Sequence, residues 1–267
     1  MIKADIHNKL SIHETISEDF LTSTVFSIFD YIGGNLLEAF LQCATTINGK
    51  NLACSLKNPS LIYWPWISTE TKHGNGAEPD LVIEDSSLVV VIEAKNYAGK
   101  SSTNSDETGY EVLRDQLGRE YFAGEKHAKN IKSKDFCVIY LTRDRRLPLL
   151  ELKESIRTIR MFTNENVVSI QNRIYWLNWQ ALVPVISDSI NRKSNSKQII
   201  MLNDLKLFLE RRGLSSFNGF KNCLSVEVSY KDTNTLFYTK KKKYFWKFEF
   251  SPVDASTEKI FFNKESL

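Results

Sequence analysis

The chain has 267 residues, of which 42% are hydrophobic and 25% charged, and it contains 16 Phe, 10 Tyr and 5 Trp. These values are typical of a globular protein and exclude a wholly disordered chain. The absence of any sequence period excludes a collagen-like repeat and a coiled coil. The net charge of +3 is too small to indicate a nucleic-acid partner by itself, but residues 195–267 carry 13 Lys and Arg against 8 Asp and Glu.

The sequence predicts neither a membrane span nor a signal peptide. It has no run of 18 apolar residues, and its first 20 residues contain no apolar core. The four cysteines are scattered without a close pair, which excludes a CxxC-type zinc site and favours reduced thiols. We therefore expect a cytoplasmic protein without a membrane partner.

Helices are predicted to open the chain, and strands follow them. Residues 17–32 show an apolar stripe at helical spacing, and residues 35–44 begin a second helix after a Gly-Gly pair. Residues 61–70 predict a strand that carries a proline, at an edge or a bend. Two β-branched runs, 80–84 and 88–95, are joined by a short polar turn and predict a β-hairpin.

The next elements alternate between helix and strand. A helix is expected over 109–128 and a buried strand over 136–142, where nearly every side chain is apolar. A helix near 151–160, a short strand at 167–170 and a helix at 177–190 come next.

The last part of the chain differs in composition from the rest. Residues 191–198 are the best linker candidate, and residues 199–213 predict an amphipathic helix that ends at a glycine. Strands are expected within 223–250. We therefore predict a mixed α/β protein with a main domain over 1–194 and a basic helix plus a small β-rich extension over 195–267.

The predicted hairpin brings ionisable residues together. Side chains alternate along a strand, so Glu93 and Lys95 share one face. If Ser86 and Ser87 form the turn, Asp80 lies directly opposite Glu93, with Cβ atoms about 4.5–5.5 Å apart. Two carboxylates and an ammonium would then meet at one end of the strand pair.

Such an arrangement suits hydrolysis of a phosphodiester. Two carboxylates this close repel each other unless a cation lies between them, and Mg²⁺ binds through one or two carboxylates plus substrate phosphate. A nearby lysine can orient water and stabilise negative charge. The alternative is an Asp-capped hairpin with a surface Glu–Lys pair. The apolar neighbours in 88–95 weigh against that alternative, because a charge inside a buried strand is costly unless it is paired.

Pro79-Asp80, followed after twelve residues by Glu93-Ala94-Lys95, resembles the PD-(D/E)xK motif of the restriction-endonuclease-like nuclease superfamily. The resemblance implies a central mixed sheet flanked by helices. It also implies that Asp80 and Glu93 bind a metal ion, Mg²⁺ or Mn²⁺, together with the backbone carbonyl of Ala94, while Lys95 positions or activates the attacking water.

Two further residues match the pattern of that superfamily. Glu18 resembles the glutamate often found on the first helix, and Gln116 resembles the glutamine on the helix after the motif strand. The resemblance implies that Glu18 contributes to metal binding and that Gln116 orients water or substrate. Glu14 and Asp19 are rival acids, and Glu18 could instead serve only the helix dipole. Gln116 could equally be an ordinary surface residue.

The resemblance has motif support over roughly 15–145 and is looser over 146–212. Residues 199–220 resemble the closing helix of defence-associated nucleases from prokaryotes. The implied activity is that of a Mg²⁺-dependent endonuclease in antiviral defence or restriction. DNA is favoured over RNA as its substrate. The alternative is a catalytically inactive nucleic-acid-binding or scaffold subunit.

Other catalytic signatures are missing from the sequence. It has no G-x-S-x-G nucleophile motif and no GxxxxGK[ST] phosphate loop. Any ATP-driven translocation would therefore need a separate helicase or ATPase subunit. A sensor subunit and a homodimer stay open as further partners.

A lysine run marks the C-terminal region as a second place where nucleic acid could bind. Lys240, Lys241, Lys242 and Lys243 precede an aromatic strand, and lysines can neutralise phosphates. The alternative is a solvated hairpin tip with an ordinary core strand behind it. Side chains in that strand alternate, and one face is wholly aromatic, so only the lysines are expected to reach a ligand.

Overall fold

The computed structural model of the chain describes the following residues: 2–7, 9, 17–97, 99–104, 111–131, 135–192, 195–215 and, for the backbone alone, 236–238 and 245–247. Its helices are α1 (Ile2–Ile6), α2 (Glu18–Ile32), α3 (Gly34–Leu41), α4 (Gln116–Asn130), α5 (Leu149–Phe162), α6 (Val167–Gln171), α7 (Leu182–Arg192) and α8 (Ser196–Arg211). Its strands are β1 (Thr45–Thr46), β2 (Ser60–Tyr63), β3 (Ile67–Ser68), β4 (Gly76–Ala77), β5 (Leu81–Glu84), β6 (Leu88–Ala94), β7 (Asp135–Thr142), β8 (Ile174–Asn178), β9 (Leu236–Tyr238) and β10 (Phe245–Lys247).

A mixed six-stranded sheet forms the centre, in the order β1-β8-β7-β6-β5-β2. Strands β6, β7 and β8 run parallel to one another, whereas β5 is antiparallel to β6 and β2 is antiparallel to β5. Strand β6 lies inside the sheet and is buried from Val89 to Ala94, as its continuous apolar run predicts. The α/β class and the central mixed sheet flanked by helices are therefore confirmed.

Helices cover both faces of this sheet, and each face has its own core. Alternate residues of β6, such as Val90 and Ile92, pack with apolar side chains of α2, α3, α7 and α8. Val89 and Val91 point the other way and pack with α4 and α5. The two-residue period of the strand thus assigns Glu93 to the face of α4. None of the helices within the described residues is both long and apolar enough to cross a membrane.

The structure differs from the sequence predictions at several elements. Helix α4 begins at Gln116 and not near 109, because the side chain of Asp115 accepts the amide of Gly118 and forms an N-cap. Residues 167–170 belong to helix α6, capped by Asn166, so the strand predicted there is wrong. The strand that pairs with β7 on its other side is β8, at 174–178, where we predicted no strand and where the helix expected over 177–190 would have begun.

The strand predicted over 61–70 is divided in two. Strand β2 pairs with β5 and ends at Tyr63, whereas β3 pairs with β4 in a separate two-stranded sheet. Between them Trp64 adopts a φ of 48°, which bulky side chains rarely take, and Pro65 cannot donate a ladder hydrogen bond. The chain therefore turns out of the main sheet at Trp64.

The chain divides into two compact units, 1–216 and 217–267. Helix α8, which we grouped with the C-terminal region, lies in the first unit, where Leu202, Leu205 and Phe208 are fully buried in its core. In the second unit β9 and β10 pair antiparallel, with Phe245 opposite Tyr238. This pairing confirms strands within two of the segments predicted to form them, 235–238 and 243–250.

Candidate active site

The predicted site residues lie at one end of the main sheet. Strand β2 ends there, β5 begins there, and β6, β7 and β8 all end there. Chain segments from five strands therefore converge on one edge, and the amino-terminal end of α2 reaches the same place through Glu18.

The hairpin has the register expected from the sequence. Leu81 pairs with Ile92 and Val82 with Val91, so the next position outward places Asp80 opposite Glu93. The backbone amide of Ala94 donates a 2.7 Å hydrogen bond to Oδ2 of Asp80 and fixes this carboxyl group against β6.

Glu18, Asp80 and Glu93 form a cluster of acids, which we call the acid cluster. Each offers one carboxylate oxygen, and these oxygens lie within 4.8 Å of one another. Asp80 and Glu93 are buried, whereas Glu18 is partly exposed. The side chain of Ser17 caps α2 and fixes the start of the helix at Glu18, and the backbone amide of Asn96 donates to Oε2 of Glu18 at 3.0 Å.

The ammonium group of Lys95 lies between two of these acids. Its Nζ donates to Oε1 of Glu18 at 2.9 Å and also to Oε1 of Glu93. Burial disfavours the charged ammonium, but the charges and hydrogen bonds of Glu93 and Glu18 outweigh that effect and raise the pKa of Lys95. The indole of the buried Trp179 donates to the Lys95 carbonyl at 3.2 Å and so fixes the backbone at this strand end.

The surroundings of Lys95 favour its charged form, whereas those of Asp80 disfavour its charged form. Burial, followed by the negative charge of Glu93, raises the pKa of Asp80 from 3.8 to about 7. The Ala94 amide and the Lys95 ammonium work against this increase without cancelling it. The acid cluster therefore holds more negative charge than its single ammonium can balance.

Gln116 joins the site from the first turn of α4. Its side-chain Nε2 donates to Oε1 of Glu93, and its Oε1 accepts the Ser101 amide at 2.8 Å. The side-chain amide is therefore oriented by contacts on both sides. Asp115 fixes the start of the helix, and a buried Lys100 Nζ bonds Oδ2 of Asp115 at 2.6 Å.

Glu120 is a fourth acid at the site and is not among the residues predicted from the sequence. It lies one helical turn after Gln116 and is 2% exposed. Burial, and then the charge of Glu93, raise the pKa of Glu120 well above its ordinary value, and Glu120 hydrogen-bonds Glu93. Its Oε2 has no hydrogen-bond partner within the described part of the chain. The i, i+4 spacing from Gln116 was the signal that could have identified it.

The other predicted residues divide into three cases. Ala94 contributes its amide to the site, and the ligand role of its carbonyl stays a prediction. The rival acid Asp19 is exposed and is not part of the acid cluster, whereas Glu14 lies outside the described residues. The four lysines at 240–243 also lie outside the described residues, so the nucleic-acid contact predicted for them stays untested.

The donor atoms of the acid cluster determine which ion would fit. All three are carboxylate oxygens, which suit hard cations such as Mg²⁺, Mn²⁺ or Ca²⁺ better than ions that prefer thiolate or imidazole. The surplus negative charge would also be relieved by a divalent cation.

Comparison with known proteins identifies no relative, since no family model, curated protein or solved structure matches the chain.

Proposed function

We propose that the chain is a metal-dependent nuclease that hydrolyses phosphodiester bonds, with DNA favoured over RNA as the substrate. It would act in the defence of a prokaryotic cell against foreign nucleic acid. The observation that carries the proposal is the convergence of Glu18, Asp80 and Glu93 around Lys95 at one sheet end. The superfamily resemblance of this motif supplies the reaction class. The resemblance of residues 199–220 to the closing helix of defence-associated nucleases supplies the defence setting.

The acid cluster would hold a divalent cation, with Mg²⁺ as the natural ion and Mn²⁺ as a substitute. A bound cation of this kind lowers the pKa of water and stabilises charge on a phosphate oxygen. Lys95 is placed to hold the attacking water or to stabilise charge on the phosphate, because its Nζ lies beside both Glu18 and Glu93. Gln116 would orient Glu93 through the hydrogen bond between them.

A non-catalytic nucleic-acid-binding or scaffold subunit is the second candidate. One observation favours it: the Lys95 ammonium already forms ion pairs with two of the three acids, as it would in a purely structural network. The two functions differ in whether cleavage occurs and in whether a divalent cation binds.

The test is cleavage of single- and double-stranded DNA and RNA by the purified chain in Mg²⁺, in Mn²⁺ and in excess EDTA. We expect cleavage with either ion and none in EDTA. Asp80→Asn, Glu93→Gln and Lys95→Met should each lower the rate by about 100-fold or more, since each removes a charge at the reacting centre.

Glu84→Gln is the matched control. This acid lies on β5, four residues from Asp80 and about 13 Å away, and it contacts His127. The Glu84→Gln protein should cleave nucleic acid at the wild-type rate. Full activity in a folded Asp80→Asn protein, or in excess EDTA, would reject the nuclease proposal.

Metal binding gives a second readout that does not depend on finding the right substrate. Isothermal titration should detect Mg²⁺ or Mn²⁺ binding that Glu93→Gln weakens and Glu84→Gln leaves unchanged. Cation binding without cleavage of any substrate in the panel would favour the scaffold function. Loss of plaque protection in cells that express Asp80→Asn in place of wild type would support the defence role.

A further inference from the structure

Exposed aromatic rings are concentrated at the sheet end that carries the acid cluster. Within the described part of the chain, four large aromatic side chains are exposed, and three of them, Trp64, Trp66 and Tyr97, follow strands that end there. The exposed fractions are 39%, 64% and 66%. Rings of this size are normally buried, so a group of them beside a polar site indicates a binding surface.

The sheet topology places these rings on both sides of the acid cluster. Trp64 continues β2 beside the start of β5, and its amide donates to the Asp80 carbonyl at 3.3 Å. Tyr97 comes two residues after Lys95, beyond the end of β6, and its ring lies against Arg143, which directly follows β7. Neighbouring strands are about 4.8 Å apart, so β2 and β7 are separated by about 14 Å across the site.

The rings are supported from beneath and from the side. A side-chain carbon added at Gly76 would approach Cζ2 of Trp66 at 2.9 Å, so the Trp66 ring lies directly over this glycine. The guanidinium of Arg143 stacks on the Tyr97 ring at 4.4 Å and donates to Oδ1 of Asn96 at 3.1 Å. These contacts position the two rings while leaving most of their surface open.

Positive charge accompanies the aromatic rings. Residues 143–146 follow β7 at the same sheet end and read Arg-Asp-Arg-Arg, with Arg145 and Arg146 exposed. Asp144, Glu78 and Asp19 are exposed acids that adjoin these residues or the acid cluster in the sequence. Arginine side chains can neutralise phosphates, and aromatic rings can stack on bases that are not paired. Paired bases inside a duplex do not offer their faces to such rings.

We propose that this surface, formed by Trp64, Trp66, Tyr97 and Arg143 with Arg145 and Arg146, binds single-stranded nucleic acid and presents it to the acid cluster. The inference rests on the proposed nuclease function and narrows its substrate to unpaired strands. Stacked bases on either side would hold the backbone across Asp80, Glu93 and Lys95.

Fluorescence anisotropy in EDTA tests binding apart from cleavage. The probes are a labelled twelve-nucleotide oligothymidylate, an abasic strand with the same number of phosphates, and a twelve-base-pair duplex. We expect the oligothymidylate to bind at least tenfold more tightly than either of the others. Equal affinity for the abasic strand, or tighter binding of the duplex, would overturn the proposal.

Variants identify the surface. Trp66→Ala and Tyr97→Ala should each weaken oligothymidylate binding about 5- to 100-fold, the scale of one base–aromatic stack. Trp66→Phe retains a ring and should recover most of the affinity. Val168→Ala, which trims an exposed side chain of α6 before β8 begins, is a control for surface substitution. Wild-type affinity in a folded Trp66→Ala protein would remove Trp66 from the surface and overturn the proposal.

The charged part of the surface has its own measurement. Replacing Arg145 and Arg146 by Ser should reduce the slope of log affinity against log salt by up to about 0.7 for each phosphate of a single strand that the arginines no longer neutralise. An unchanged slope would contradict their part in the proposal.

The outcomes separate this inference from the proposed function. Base-dependent binding that Trp66→Ala removes, in a chain that cleaves nothing, would support the surface and reject the nuclease. Metal-dependent cleavage by a chain that binds the abasic strand as tightly as oligothymidylate would support the nuclease function and reject the proposed binding surface.

Discussion

Two lysines five residues apart, Lys95 and Lys100, are both buried against carboxylates, but their surroundings differ in charge balance. Lys100 Nζ contacts the fully buried Asp115 at 2.6 Å and Oγ of Ser155 at 2.9 Å. Its other acid contact, Glu154, is 43% exposed at the side chain. One buried ammonium thus faces one buried carboxylate there, and its other contacts are the Ser155 hydroxyl, the Glu151 carbonyl and the partly exposed Glu154.

Lys95 faces an excess of acid. Glu18, Asp80 and Glu93 surround it, and Glu120 lies behind Glu93. Buried charges that are balanced serve the fold, whereas a buried surplus has to be relieved by protons or by a cation. The comparison therefore distinguishes a structural ion pair from a site that is suited to binding a metal.

The largest expected effect comes from removing Lys100, the lysine whose charge is balanced by one buried carboxylate. Lys100→Met should lower the free energy of unfolding by about 3–5 kcal/mol, because it leaves the Asp115 carboxylate buried without its partner. Urea denaturation measures this loss, and added Mg²⁺ should not restore it. Lys95→Met should also lose stability in EDTA, but Mg²⁺ should restore that stability, because a divalent cation can replace the ammonium among the acids. If Mg²⁺ restored the free energy of unfolding of Lys100→Met, the result would contradict the distinction between the two lysines.

The second prediction concerns pH and Asp80. Its pKa is about 7 in the folded chain and near 3.8 when unfolded, so the folded state binds the proton more tightly. Stability in EDTA should therefore fall as pH rises from about 4 to 7 and level off above, by about 2–4 kcal/mol for this group. Thermal melts of Asp80→Asn should lack that part of the decline. Stability that rises over this range in both proteins would exclude the elevated pKa.

Glu120→Gln should stabilise the chain at pH 8 in EDTA. The amide keeps a donor for Glu93 but removes one acid from the crowded site, where the pKa of Glu120 is raised well above its ordinary value. A gain of about 1–2 kcal/mol is expected from chemical denaturation, the scale of one poorly compensated buried group. Glu84→Gln, on the same sheet but away from the cluster, should show no gain. An equal gain in both would mean that crowding at the site is not the cause.

The smallest effect is expected from replacing Ser155, whose hydroxyl group contacts Lys100. Ser155→Ala removes a hydrogen bond to Lys100 Nζ and one to Oδ2 of Asp115, at 2.9 and 3.1 Å. The ion pair itself remains, so the loss should be about 1 kcal/mol and independent of divalent cations. A larger loss, comparable with that of Lys100→Met, would show that the hydroxyl and not the charge balance carries this network.

Sequence reasoning was accurate where the relevant contacts are local. The register of β5 and β6 followed from the turn length and the two-residue period, and the structure confirms it. The buried character of β6 followed from its apolar run. Helix α2 was also located correctly, since an N-cap residue and an apolar stripe act within a few turns.

The errors occurred where a distant partner decides the structure. Three of the four residues 167–170 are β-branched and suggest a strand, but β7 pairs with residues 174–178, and Asn166 caps a helix before them. The strand over 61–70 divides because its second half pairs with β4 and not with β5. β-strand propensity shows that a segment suits a sheet, but not which partner it finds.

The sequence by itself determined that Asp80, Glu93 and Lys95 meet at one end of a hairpin, because strand alternation and a short turn fix neighbours within about fifteen residues. Only the tertiary structure decided that Glu18, 77 residues before Lys95, completes the acid cluster and that Glu120 adds a fourth acid. It also decided that Trp64, Trp66 and Tyr97 share that sheet end. These residues come from separate elements, and their positions depend on how the sheet orders its strands and how the helices pack on it.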